Sequence, residues 1–152
     1  MNKEYAYMLM NDYAGEISED TAIHMYFYQS IILEKTEPEI SKILEKIAIE
    51  EMHHLELLGK MIYKLGELPI YRTIECYNNI PIFFNAAYVN YTPDLKSILI
   101  SDINAEKSAI INYSRQRDYI NNKEINDLLT FLIDEENRHL NTFNKLYQDR
   151  FL

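Results

Sequence analysis

An all-α protein, folded as an antiparallel four-helix bundle of two helical hairpins with a long crossover between helices two and three, is predicted by three features of these 152 residues. Glycine and proline number only 3 and 4, which leaves little room for the turns of a β-rich fold. Apolar residues recur at steps of three and four, the period of a buried helix face. Two short patterns also occur twice. Glu19-Asp-Thr-Ala-Ile-His-Met-Tyr26 matches Glu106-Lys-Ser-Ala-Ile-Ile-Asn-Tyr113 as Glu-x-x-Ala-Ile-x-x-Tyr, and the stretches ending at His54 and His139 both carry Glu-x-x-His. Glu19 and Glu106 are 87 positions apart, Glu51 and Glu136 are 85 apart, and one hairpin used twice explains both spacings.

Residues 5–35 read as the first helix, with Leu9, Glu16, Glu19, Ile23, Tyr26, Ser30 and Leu33 on a common face. Thr36-Glu-Pro-Glu39 has the form of a capping box with proline in the first turn, and it starts a second helix over 37–65. Gly66 to Thr92 contains Gly66, Pro69, Pro81 and the pair Asn78-Asn79, and reads as a long connection. Leu68-Pro-Ile-Tyr71 and Ile80-Pro-Ile-Phe-Phe84 are too apolar for a free linker, so the segment is expected to lie across the bundle and cover apolar surface. Thr92-Pro93 supplies a cap and first-turn proline for a third helix over 93–120. Leu99, Ile103, Glu106, Ile110 and Tyr113 mark its inner stripe. After Asn121-Asn122 a fourth helix covers 123–148, and the last residues are expected to fray.

With 47% hydrophobic residues the chain suits a single domain over 1–152 with a sizeable core. Its 24 acidic and 15 basic residues give a net charge of −9, which argues against nucleic acid or an anionic membrane as partner. Cys76 stands alone, excluding a disulfide framework and a Cys-x-x-Cys centre, and it reads as packing within the connection. The charged N-terminus is not that of a signal peptide, and no stretch is long and apolar enough to span a membrane. A cytoplasmic setting follows.

Positions i and i+3 of a helix share a face, about 5–6 Å apart at Cβ, so one Glu-x-x-His unit can hold one metal ion. In the first unit two registers fit: Glu50 with His53, or Glu51 with His54. The apolar stripe Ile40, Ile43 or Leu44, Ile47, Leu58, Met61 or Ile62 and Leu65 decides for Glu51 and His54, which replace apolar residues on its line. In the second, Leu129, Leu132, Phe143 and Leu146 flank Glu136 and His139 in the same way. A lone Glu-x-x-His is ordinary surface chemistry. Two copies on buried stripes require a cation, because a buried carboxylate costs several kcal/mol unless paired or metal-bound.

Bare glutamates from the first and third helices with Glu-x-x-His units from the second and fourth resemble the ligand set of the ferritin-like di-iron and di-manganese proteins, over essentially the full chain. The resemblance assigns Glu19, Glu51, His54, Glu106, Glu136 and His139 as metal ligands. Residues 18–27 and 50–55 look like bacterioferritin, and Met52 stands where bacterioferritins place a haem ligand, although haem is not expected here. The short fifth helix of storage cages is not expected after the fourth helix. Rubrerythrins are similar too, but Ala109 replaces a further glutamate and the single cysteine cannot build their four-cysteine domain. Manganese catalases share the bundle and its ligands.

The resemblance implies an oxidoreductase: a non-haem protein with two iron ions that reduces hydrogen peroxide or dioxygen, as a peroxidase or ferroxidase, served by a separate electron donor protein. A catalase with two manganese ions and an iron-storage protein are the alternatives, and a homodimer is the expected assembly. Tyr26 and Tyr113, two turns beyond Glu19 and Glu106, are candidates to hydrogen-bond ligands or pass electrons. Glu50 and Glu135 precede ligand glutamates and are expected to receive the second N–H of His139 and His54 respectively. Glu16, one turn before Glu19 where the repeat has Ile103, is expected to line the route for incoming metal or to serve as a mobile extra ligand.

Overall fold

The computed structural model describes residues 2–77 and 80–152, and of residues 74–77 and 80 the backbone. Asn78-Asn79, read as a chain breaker, and the packing role expected of the Cys76 side chain lie outside the described residues. The chain divides into two units, Met1–Val89 and Asn90–Leu152.

The first unit begins with α1 (Lys3–Ala14) and α2 (Glu19–Leu33), where one helix over 5–35 was expected. Gly15 to Ser18 separates them. A Cβ on Gly15 would lie 2.6 Å from the Asn11 carbonyl oxygen, an approach only glycine allows. Ser18 is the N-cap of α2: its Oγ accepts from the Thr21 amide at 3.2 Å, while Thr21 Oγ1 donates back to the Gly15 carbonyl at 3.0 Å. Cap chemistry thus restarts the helix where the apolar period runs on.

Pro38 opens α3 (Pro38–Lys64) at its first turn. The N-cap is Glu37, with no side-chain cap bond, so the box expected from Thr36 does not form. At the far end Gly66 takes φ 94°, the Gly66 amide donates to Tyr63 O and the Glu67 amide to Ile62 O, which is a Schellman closure. α2 and α3 run antiparallel, joined by a buried bond from Ser41 Oγ to the Ser30 carbonyl at 2.7 Å. Ile23, Tyr26, Leu33, Ile40, Leu44, Ile47, Leu58 and Ile62 are buried in this unit.

The long connection contains an antiparallel ribbon of β1 (Arg72–Tyr77) and β2 (Ile80–Phe83), followed by a 3₁₀ turn over Ala86–Tyr88. The ribbon's foot packs on α1. Tyr71 lies against Tyr13 with ring centroids 5.0 Å apart, and Lys3 pairs with Glu67 at 3.0 Å. Phe84 stacks at 5.1 Å on the His24 ring of α2. Leu68, Ile82 and Phe83 remain exposed rather than covering apolar surface.

The second unit is a hairpin of α4 (Leu95–Tyr119) and α5 (Lys123–Phe151). Asp94 rather than Thr92 caps α4, accepting the Ser97 amide at 3.0 Å, and the Thr92 hydroxyl donates to the Asp94 carboxylate at 3.2 Å. Asn122 caps α5 through the Ile125 amide. The C-terminal end is helical through Phe151 instead of frayed. Phe151 packs on Tyr147 at 5.4 Å and faces the Lys96 ammonium at 5.7 Å. Ile98, Leu99, Ile125, Leu129, Leu132 and Phe143 are fully buried.

Candidate metal centre

α3 carries its core stripe straight through Glu51 and His54, and both side chains are 1% exposed. His54 Nδ1 lies 2.7 Å from Glu51 Oε2 and 3.8 Å from Glu19 Oε2, the latter from the first residue of α2. The second unit repeats the arrangement. His139 Nδ1 lies 3.1 Å from Glu136 Oε2 and 3.9 Å from Glu106 Oε1, with every side chain nearly fully buried. Within each trio the potential ligand atoms fall within 4.8 Å of one another.

This geometry fits a metal ion in each unit. Two carboxylates and a neutral imidazole leave two negative charges away from water, an arrangement several kcal/mol out of balance without a cation. A divalent ion restores neutrality. Oxygen and imidazole donors without thiolate suit iron or manganese rather than a softer metal. Each trio offers one ion two carboxylates and one imidazole, the donor types of a di-metal carboxylate protein.

The other expected site residues are placed as follows. Tyr26 and Tyr113 are buried, at 0% and 2% exposure, two turns beyond Glu19 and Glu106. Glu135 is largely buried and pairs with Arg138, whereas Glu50 is 36% exposed at its side chain and lies 3.8 Å from Lys46. His53 points outward beside Glu56 at 3.6 Å. Glu16 departs from its expected position. It is exposed in the break between α1 and α2, not one helical turn before Glu19, because the chain leaves the helix at Gly15.

Sequence reasoning passed over three buried acids: Asp12, Asp20 and Asp102. Asp102 lies one turn before Glu106 on the inner face of α4, a spacing that could have revealed it. Asp20 neighbours Glu19, and its Oδ1 lies 3.3 Å from the His24 ring. Burial holds the Asp20 carboxyl above the usual range, with His24 opposing that rise.

A family model described as Rubrerythrin matches residues 9–147, nearly the whole chain and all six candidate ligands. The chain belongs to the rubrerythrin family. Its fold is the ferritin-like bundle of four long helices, preceded here by the short α1. A probable manganese catalase of Clostridium acetobutylicum is 25% identical over 154 residues, spanning 91% of this chain and 68% of that protein. KatB, a manganese catalase from Anabaena, superposes with a TM-score of 0.85 at 25% identity, covering all of this chain and 77% of its own. The bacterioferritin of Desulfovibrio desulfuricans, solved with its diiron site in different catalytic states, gives 0.75 at 25% identity over 96% and 80%. Among the described residues of this rubrerythrin-family chain, no helix is long and apolar enough to cross a membrane.

Proposed function

We propose that this protein is an oxidoreductase in which Glu19, Glu51, His54, Glu106, Glu136 and His139 hold two iron ions that act together to reduce hydrogen peroxide or dioxygen. The observation that supports this most directly is the repeated burial of two carboxylates around one imidazole, once in each unit. When bound, such a pair of ions supplies two electrons at one place, the number needed to cleave an O–O bond.

The side chains set the conditions for that chemistry. Four carboxylates offset two divalent charges, so the loaded site is electrically neutral without help from water. Tyr26 and Tyr113 are the buried hydroxyls proposed to pass a proton or electron near Glu19 and Glu106. Glu50 is proposed to orient the His139 ring and Glu135 the His54 ring by accepting the N–H that does not face metal. In the di-iron form electrons come from a separate donor protein, and the assembly is a homodimer.

A catalase with two manganese ions is the second reading, favoured by the likeness to two proteins named as manganese catalases. There a second peroxide molecule supplies the electrons, and no donor is needed. Metal analysis of the protein purified from its native source, combined with peroxide assays with and without a reductant, tests both. Iron with consumption that needs a reductant is the expected result. Manganese with reductant-free oxygen release would replace it by the catalase reading, and a protein that binds neither metal, or consumes neither peroxide nor dioxygen, would sink the proposal.

A further inference from the structure

The aromatic pair Tyr13 and Tyr71 lies outside every role assigned so far. Tyr13, on α1, is 6% exposed, and Tyr71, at the foot of the β-ribbon, is 47% exposed. Their rings approach to 5.0 Å between centroids with an interplanar angle of 31°, and their hydroxyl groups share a hydrogen bond. The buried ring has a fixed relation to the first metal cluster. It rests against Gly59 of α3, where an added Cβ would come within 3.2 Å of Tyr13 Cε2. Gly59 lies five residues beyond His54, about 7.5 Å of helix rise. The Tyr13 phenol also feels the charge of Asp20, the neighbour of Glu19. One ring is therefore buried against the helix that carries Glu51 and His54, and its partner opens to solvent.

The chain has no tryptophan and one cysteine, so tyrosine is the main side chain able to carry an oxidising equivalent. From this placement we infer that Tyr13 and Tyr71 form a one-electron conduit between the metal ions of the first cluster and a reductant at the protein surface. The inference rests on the metal-binding reading above. Tyr13 gives up an electron toward the oxidised ions, and its phenolic proton shifts along the hydrogen bond to Tyr71 Oη, which releases its own proton to water. Tyr71 then returns an electron and that bridging proton to the Tyr13 radical. A small one-electron reductant such as ascorbate re-reduces the Tyr71 radical as water returns the proton. One electron moves inward per cycle, and every proton is restored. Burial and the bond to Tyr71 hold the Tyr13 phenol well above its ordinary range, so it starts protonated and needs the proton path that Tyr71 provides.

The conduit can be run in reverse without peroxide. Anaerobic Fe(II)-loaded protein is flashed with a photogenerated ruthenium(III) tris-bipyridine oxidant, and Fe(III) formation is followed optically. Tyr71→Phe and Tyr13→Phe should each slow it several-fold, whereas Tyr63→Phe, which removes the hydroxyl of a more exposed tyrosine on α3, should not. Equal rates in the wild type and Tyr71→Phe, or equal slowing by Tyr63→Phe, would overturn the inference. A second readout needs no metal. In metal-free protein the same flash should leave a long-lived tyrosyl radical by electron paramagnetic resonance, and Tyr13→Phe should shorten its life. An unchanged lifetime in folded Tyr13→Phe would also overturn it. Because Tyr71 is at the surface, its variant decides the matter even if Tyr13→Phe does not fold. Peroxide turnover enters neither measurement, so a protein inert to peroxide would sink the functional proposal and leave this one to the flash experiment.

Discussion

Glu50 and Glu51 are chemically identical neighbours, each followed three residues later by histidine, yet the fold gives them different surroundings. Glu51 and His54 are 1% exposed, while the side chains of Glu50 and His53 are 36% and 61% exposed. Glu51→Ala is therefore expected to remove one of two bound ions, as read by metal analysis. Glu50→Ala should keep both ions and weaken affinity about 10–100-fold, the usual effect of losing a partner to a ligand. His53→Ala should leave metal content unchanged. Full metal content in Glu51→Ala would refute the ligand assignment. The burial of Glu51, His54, Glu136 and His139 was legible because polar residues on an apolar line of period 3.6 have nowhere else to go. Tyr13 was not legible as a neighbour of Tyr71, since nothing in the order of residues brings α1 against a chain 58 positions later.

At the scale of elements, α3, α4 and α5 could be read to within a few residues, because their stripes are long and their breakers unambiguous. The break between α1 and α2 could not, since the stripe of Leu9, Ile23, Tyr26 and Leu33 stays roughly in phase across four non-helical residues. Its signal was local: Gly15, then Ser18 ahead of two acids and Thr21. Gly15→Ala should cost about 1–3 kcal/mol in denaturant unfolding, because its new methyl meets the Asn11 carbonyl. An unchanged midpoint would show that the turn relaxes freely. The start of α4 gives a prediction in pH. Hydrogen bonds from Ser97, seconded by Thr92, hold the Asp94 carboxyl below its ordinary range. A depressed folded-state value means stability that is present above about 3.9, the ordinary aspartate value, and lost as pH falls through the folded one. Asp94→Ala should thus lower Tm at neutral pH, and its deficit should shrink below pH ~3.9. A deficit independent of pH would deny the carboxylate that role.

For the molecule as a whole, metal content and stability are coupled, because each unit buries two carboxylates whose charge a cation offsets. Chelation should lower Tm, and excess Fe(II) or Mn(II) should restore it, by about 2.7 kcal/mol at a hundred times Kd for one site. A Tm indifferent to chelator would mean that the clusters do not take metal. The repeat that builds the clusters is nevertheless not symmetrical. Glu106 lies in the middle of α4, whereas the break at Gly15 makes Glu19 the first residue of α2. The positive end of the α2 dipole stabilises the Glu19 carboxylate by up to about 2 kcal/mol and repels a cation beside it. The ion held by Glu19, Glu51 and His54 should therefore bind more weakly and leave first. Titration with Mn(II) should show two steps of unequal affinity, and partial chelation should yield a protein retaining one ion, at His139.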